Sequence, residues 1–137
     1  MKKRTPVSKI MSTDLMSVNV TQSLRQVDEM IRGEHIRHVP VVSGKRIIGM
    51  LSKTDLQKIS FVNTVDGDGL TMAMYDNLTI DQVMTTDVVT VDKNDTILDV
   101  AVILSKNEFH ALPVTENGEL VGIVTTTDLI KYLIDQY

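Results

Sequence analysis

Apolar and polar residues follow a helical spacing over residues 23–34 and strand-like spacings over residues 38–42 and 47–51. Leu24, Val27 and Ile31 fall on one face of a helix, and Ser23 with Gln26 has the spacing of an N-terminal capping box. The turn Ser43-Gly44-Lys45 separates the two strands as a hairpin connection would. The pattern predicts, in order, a helical turn (7–11), a strand (16–20), a helix (23–34), two strands (38–42 and 47–51) and a helix from residue 54 onward.

The chain repeats itself at a gap-free offset of 73 residues. Pro40-Val41 falls on Pro113-Val114, and Thr54-Asp55-Leu56 falls on Thr127-Asp128-Leu129. The second copy predicts a turn (80–84), strands (88–91, 111–115 and 120–124), a helix (96–107) and a helix from residue 127 onward. We therefore expect an α/β (α+β) fold of two β-α-β-β-α units packed as an intramolecular pseudo-twofold pair. Its parts are a first domain (5–64), a linker (65–77) and a second domain (78–137).

Both copies end the third strand with one motif: a glycine, two apolar residues, a hydroxyl residue, two variable residues and an aspartate. It runs from Gly49 to Asp55 and from Gly122 to Asp128. The motif alone has two interpretations. The simpler one is a helix cap, in which the hydroxyl and the carboxylate each accept a backbone N–H. The other is a ligand site, because free N–H groups suit a phosphate and a carboxylate can accept both hydroxyls of a ribose.

Composition narrows the function classes. The 137 residues include no cysteine, which excludes disulfides and cysteine nucleophiles, and no apolar run is long enough to cross a membrane. The basic N-terminus lacks the apolar segment of a signal peptide, so we expect a cytoplasmic protein. The net charge of −4 argues against nucleic acid as a partner. It averages a first half (residues 1–60) at +6 and a second half (61–137) at −10.

The doubled unit resembles a tandem pair of CBS domains, known as a Bateman module. The resemblance rests on Met-Ser-Thr-Asp (11–14) and Met-Thr-Thr-Asp (84–87), on His-Val-Pro-Val-Val (38–42) and Ala-Leu-Pro-Val (111–114), and on the two glycine-to-aspartate motifs. It implies a regulatory module and not an enzyme. Such a module senses an adenosine-containing ligand (AMP, ADP, ATP or S-adenosylmethionine) in clefts between its repeats, and it requires no cofactor. With the family in view, the ligand-site interpretation of the motif becomes the favoured one.

The resemblance also implies roles for individual residues. Asp55 and Asp128 would hold the ribose, and Ser52 and Thr125 would contact phosphate, with Thr54 and Thr127 beside them. The adenine would lie against apolar residues of the first two strands of each copy: Val18, Val39, Pro40, Val91, Leu112 and Pro113. His35 and Arg37 add positive charge near the first copy, where the second has Glu108. We therefore expect the first copy to recruit phosphate more strongly.

Alternatives remain open. His35 and His38 could be metal ligands, but no third ligand is apparent, and we expect no metal site. The turn Asp66-Gly67-Asp68-Gly69 departs from a calcium loop, and no catalytic motif occurs. The main alternative is a dimerisation or protein-interaction module that binds no ligand.

The resemblance further implies a homodimer formed through the helices of each copy. Opposite charges on the two halves favour head-to-tail pairing. We expect the regulatory output to reach a separate effector protein, which the sequence does not identify.

Overall fold

The structure is a computed structural model that describes residues 4–62 and 76–137. The Asp66-Gly67-Asp68-Gly69 turn and most of the predicted linker 65–77 lie outside the described residues. No helix in the described part is long and apolar enough to span a membrane.

The described chain forms two compact units, each built around three strands. The first-repeat unit comprises the described residues between 16 and 88, and the second-repeat unit comprises residues 4–15 and 89–137. The α+β class and the β-α-β-β-α order predicted from sequence are confirmed in both units.

The first-repeat unit contains β1 (Val18–Asn19), α1 (Leu24–Glu34), β2 (His38–Ser43), β3 (Arg46–Ser52), α2 (Lys53–Val62) and α3 (Ile80–Val83). The second-repeat unit begins with a 3-10 turn (Val7–Lys9) and continues with β4 (Val91–Asp92), α4 (Ile97–Lys106), β5 (Ala111–Glu116), β6 (Glu119–Thr125) and α5 (Thr126–Asp135). In each unit the middle strand pairs parallel with the short first strand and antiparallel with the third.

The first strand of each unit is shorter than the sequence pattern predicts. In place of the predicted strands 16–20 and 88–91, two-residue ladders form: Val18–Asn19 lies inside the first range, and Val91–Asp92 extends one residue past the second. After each ladder the chain turns at once toward the next helix, where Gln22 N donates to Asn19 O and Asp95 N donates to Asp92 O. Before β4, Val89 and Thr90 are exposed, so no buried side chain holds that stretch against the sheet.

Each unit includes the leading segment of the other repeat. Val7 is fully buried in the core of the second-repeat unit, beside Val91, Leu112 and Val124. Ile80, its equivalent in the second repeat, is fully buried in the core of the first-repeat unit. The compact units and the sequence repeats therefore differ in which leading segment they contain.

The motif glycines leave space for this exchange. In the second-repeat unit, a Cβ on Gly122 would overlap Met11 Sδ and lie 2.9 Å from Met11 Cγ. In the first-repeat unit, a Cβ on Gly49 would overlap Met84 Sδ in the same way. Nearby, Ser12 and Ile123 exchange two backbone hydrogen bonds of 2.8 and 3.0 Å, and Met50 and Thr85 exchange two of 2.9 Å. The glycine is needed because another chain segment crosses directly over the strand.

Gly122→Ala is expected to lower the free energy of unfolding by about 1–3 kcal/mol, because the methyl group displaces Met11 from a packed position. Gly33→Ala is the matched control. Nothing lies within 4 Å of a Cβ on Gly33. Since alanine favours the helix, this change should stabilise α1 by about 0.5–1 kcal/mol. Urea unfolding measures both. A Gly122→Ala protein as stable as Gly33→Ala would contradict the crossing described here.

Stability should also respond to pH through the cap of α4. The backbone N–H of Thr96, and then its hydroxyl, hold the pKa of Asp99 below its usual value, because both hydrogen bonds favour the carboxylate. A lowered folded-state pKa gives stability that is present above the unfolded pKa and is lost as the pH falls through the folded pKa. The free energy of unfolding of the Asp99→Asn protein should therefore change less with pH below about pH 4 than that of the parent. Gln26→Glu, in the equivalent box of α1, should make the free energy of unfolding more sensitive to pH in the same range. If the melting temperatures of all three proteins fall by the same amount as the pH is lowered, the assignment is contradicted.

Candidate functional site

The predicted site residues of the first repeat lie where β3 passes into α2. Ser52 Oγ accepts a hydrogen bond from the backbone N of Asp55 at 3.0 Å. Asp55 Oδ2 accepts one in return from the backbone N of Ser52 at 2.9 Å. The two side chains thus close a capping box at the start of α2. The helix-cap interpretation of the motif is correct.

The second repeat builds the same junction between β6 and α5. Thr125 Oγ1 accepts from Asp128 N at 3.1 Å, and Asp128 Oδ2 accepts from Thr125 N at 2.9 Å. Thr54 and Thr127 occupy equivalent exposed positions in the first turns of α2 and α5. The structure therefore contains two chemically matched junctions, each with a hydroxyl and a carboxylate.

The cap leaves part of each side chain free to act on something else. Among the described residues, Oδ1 of Asp55 and of Asp128 has no hydrogen bond, and both side chains are partly exposed. Ser52 and Thr125 use their hydroxyl oxygens as acceptors, so their O–H protons can be donated elsewhere. Capping and ligand binding are therefore compatible at one junction. A second acceptor oxygen can take ribose hydroxyls, and a hydroxyl proton can be donated to phosphate.

The apolar residues predicted to face an adenine are placed in the cores of the two units. Val18 and Val39 belong to the core of the first-repeat unit, and Val91 and Leu112 belong to the core of the second-repeat unit. Pro40 and Pro113 are buried on the middle strands. Four consecutive residues of β2 are buried, which is typical of a strand covered on both faces. A contact between these six residues and a base stays a prediction.

His35 and Arg37 line a cavity of about 510 Å³ in the first-repeat unit. The structure adds residues that the sequence analysis did not single out, namely Asp28, Arg32, Lys53 and Gln57. Neither Ser52 nor Asp55 lines this cavity. The sequence shows the i,i+4 spacing of Asp28 and Arg32 and the position of Lys53 directly after Ser52, but neither indicates a cavity.

The two candidate metal ligands of the sequence analysis occupy different elements. His35 ends α1 in the left-handed conformation (φ 54°), and His38 begins β2. Within residues 4–62 and 76–137, no three histidine, aspartate or glutamate side chains form a group that could hold a metal ion.

Comparison with known proteins agrees with the resemblance seen in the sequence. The family model for the CBS domain matches residues 7–61 and again residues 80–135. A homoserine O-acetyltransferase from Methanocorpusculum labreanum is 30% identical over 125 residues, which are 90% of this chain and 23% of that enzyme. The chain spans less than half the length of this enzyme and of three uncharacterized relatives from Methanocaldococcus jannaschii.

Two solved structures share the fold. CBSX2 in complex with AMP superposes with a TM-score of 0.80 at 20% identity, covering 96% of this chain and 98% of that one. The CBS domain pair of MJ0100, in complex with 5′-methylthioadenosine and S-adenosyl-L-methionine, has a TM-score of 0.76 at 23% identity and covers 97% and 98%. Two family matches in tandem, on a fold shared with CBS domain pairs, identify this chain as a member of the CBS-domain family that carries two such domains, a Bateman module.

Proposed function

We propose that this module binds an adenosine-containing small molecule at its strand-to-helix junctions and passes the bound state to a separate protein. The observation that carries the proposal is the duplicated junction, in which Asp55 and Asp128 each keep a free carboxylate oxygen beside a hydroxyl donor. Solved CBS pairs of the same fold contain AMP in one case and S-adenosyl-L-methionine with methylthioadenosine in another. AMP, ADP, ATP and S-adenosylmethionine are therefore the ligands to test.

We propose binding without catalysis. A catalytic site would need residues that differ between the two repeats, whereas both repeats carry matched junctions built from the same residue types. The alignment with homoserine O-acetyltransferase covers only 23% of that enzyme. Signalling would follow from differential affinity: a ligand that binds one conformation more tightly shifts the population toward it. We place the protein in the cytoplasm, the compartment expected from sequence.

A second candidate function is supported by the completeness of the caps. Both boxes satisfy their backbone N–H groups without any ligand. The motif can therefore be explained by helix stability alone, and the module would then serve as a ligand-free dimerisation or protein-interaction unit.

Thermal-shift and calorimetric titrations with AMP, ADP, ATP and S-adenosylmethionine distinguish the two functions. Asp55→Ala and Asp128→Ala should each weaken binding at the altered junction by about 10–100-fold, since a charged acceptor of hydroxyl groups contributes about 1.5–3 kcal/mol. Each should also lower stability by about 1 kcal/mol through the lost cap.

Asp99→Ala provides the matched control for these titrations. It breaks a capping box of the same kind at the start of α4, which belongs to neither junction, so it should cost stability and leave ligand binding unchanged. If no adenosine compound shifts the melting temperature of the parent protein, the ligand-free module becomes the function.

We also propose a homodimer, for which the second-repeat unit offers an apolar face on α4 and α5. Its exposed members are Leu98 (58%), Val102 (42%), Ile130 (53%), Leu133 (44%) and Ile134 (64%). Four of the five equivalent positions in the first repeat carry polar residues, Arg25, Glu29, Gln57 and Ser60, and the fifth carries Phe61. The apolar face favours pairing of like faces, whereas the charge of the two halves favours head-to-tail pairing.

Sedimentation of the parent against a Leu98→Arg/Ile130→Gln protein tests the dimer. Each change introduces the residue of the first repeat. Together the two changes should raise the dimer dissociation constant by at least tenfold, because apolar contact area is lost. Val89→Thr, an exposed valine outside both helices, should leave it unchanged.

The orientation of the two chains in the dimer can be tested with introduced cysteines, because the chain contains none of its own. Leu98→Cys alone should form an intermolecular disulfide if like faces meet. If the dimer is head-to-tail, the disulfide should form only in the protein that carries both Arg25→Cys and Leu98→Cys. A parent that sediments as a monomer at all concentrations would contradict the dimer.

A further inference from the structure

Met11 and Met84 are equivalent residues of the two repeats, and the function proposed above uses neither of them. Each packs against the motif glycine of the unit that its leading segment completes. Met11 Sδ overlaps the position of a Cβ on Gly122, and Met84 Sδ overlaps the position of a Cβ on Gly49. Sulfur is the closest atom to that position in both units, so the same contact occurs twice.

Each thioether presents its sulfur to the strand. At Gly49, Met84 Cγ and Cε lie 2.9 and 3.1 Å from the Cβ position, and both are farther from it than the sulfur. At Gly122, Met11 Cγ lies 2.9 Å from that position and is again farther than the sulfur. An oxygen added to the sulfur on this side would collide with the strand. An oxygen added on the opposite side would make polar a side chain that packs against the core of its unit.

The methionine contacts lie within the attachment of the leading segments. In the second-repeat unit, Ser12 follows Met11 and exchanges two backbone hydrogen bonds with Ile123. Four residues before Met11, Val7 is fully buried in the core. The first-repeat unit has the same arrangement around Met84. Displacing either methionine would therefore loosen the segment that completes the core.

Methionine provides the only sulfur in the chain, which contains eight methionines and no cysteine. Hydrogen peroxide oxidises a thioether by transferring one oxygen to it. The sulfur loses two electrons and forms an S–O bond, while the O–O bond breaks and the peroxide is reduced to water. The product is a polar sulfoxide, which methionine sulfoxide reductases convert back to the thioether. Met11 and Met84 are both partly exposed, so a reagent as small as a peroxide can reach them.

We propose that Met11 and Met84 are a matched pair of oxidation sites that make the attachment of both leading segments sensitive to redox conditions. Oxidation by a peroxide releases the segments, because the sulfoxide loses either its contact with the glycine or its apolar packing against the core. Reduction restores the thioether and allows the segments to bind again. The proposal is independent of the proposed function, since it involves none of the hydroxyl or carboxylate groups of the junctions.

Treatment of the full chain with hydrogen peroxide tests the two sites. Peptide mass spectrometry should find sulfoxide at Met11 and Met84, and the oxidised protein should melt at least about 3 °C below the parent. Methionine sulfoxide reductases for both sulfoxide epimers should restore the parent melting temperature. The proposal is overturned if neither methionine is oxidised, if the oxidised protein melts like the parent, or if reduction does not reverse the loss.

The Met11→Leu/Met84→Leu protein separates this effect from general oxidative damage. Leucine has a similar volume and no sulfur, so this protein should fold, melt close to the parent and lose little stability in peroxide. Met16→Leu/Met30→Leu is the matched control, because it removes two partly exposed methionines outside the leading segments. It should respond to peroxide like the parent. An equal response of the two double variants would count against the assignment.

Gly122→Ala tests the contact itself. Because the added methyl group displaces Met11, peroxide should oxidise Met11 about fivefold faster or more, with the rate at Met84 unchanged. Gly33→Ala should change neither rate, since nothing lies within 4 Å of a Cβ at that position. Equal rates of Met11 oxidation in the Gly122→Ala and Gly33→Ala proteins would overturn the proposal.

Discussion

The exchange of leading segments is the constraint on which the rest of the structure depends. Val7 and Ile80 are each fully buried, and each completes the core of the unit built mainly from the other repeat. A backbone hydrogen bond also holds the first of these segments in place, since Val7 N donates to Asp95 O at 2.7 Å. A fully buried valine or isoleucine contributes about 1.5–3 kcal/mol relative to an exposed one. Sheets, helices and junctions are all built around cores that neither repeat supplies alone.

The junctions show how one short motif can cap a helix and still leave polar groups for a ligand. A carboxylate has two oxygens, and the cap occupies only Oδ2. Because the cap already fixes the side chain, a ligand that binds Oδ1 has little side-chain entropy left to overcome. The same geometry explains why sequence alone could not separate a cap from a ligand site: both require a hydroxyl and an aspartate at this spacing.

The elements that could be predicted from sequence are those set by local chemistry. The helices begin at capping boxes that read directly from residue spacing, and Asn117-Gly118 turns β5 into β6 because both residues accept positive φ. Longer-range features could not be read in this way. The continuous apolar runs 39–42 and 111–114 identify buried strands, but they do not reveal which elements cover β2 and β5, or that Val18 and Leu112 are core residues. The cavity beside Lys53 depends on how two helices and a connection meet, which no single segment encodes.

The exchange has a consequence for a chain cut between its repeats. A break within residues 63–75 would leave each fragment holding a piece that the other lacks. The first would carry residues 4–15 of the second-repeat unit, and the second would carry residues 76–88 of the first-repeat unit. Such halves would complement each other without a covalent connection, as swapped arms join the subunits of a domain-swapped dimer. The sequence repeat and the compact unit therefore do not coincide. A single CBS repeat cut out at its sequence boundary would be missing part of its own core.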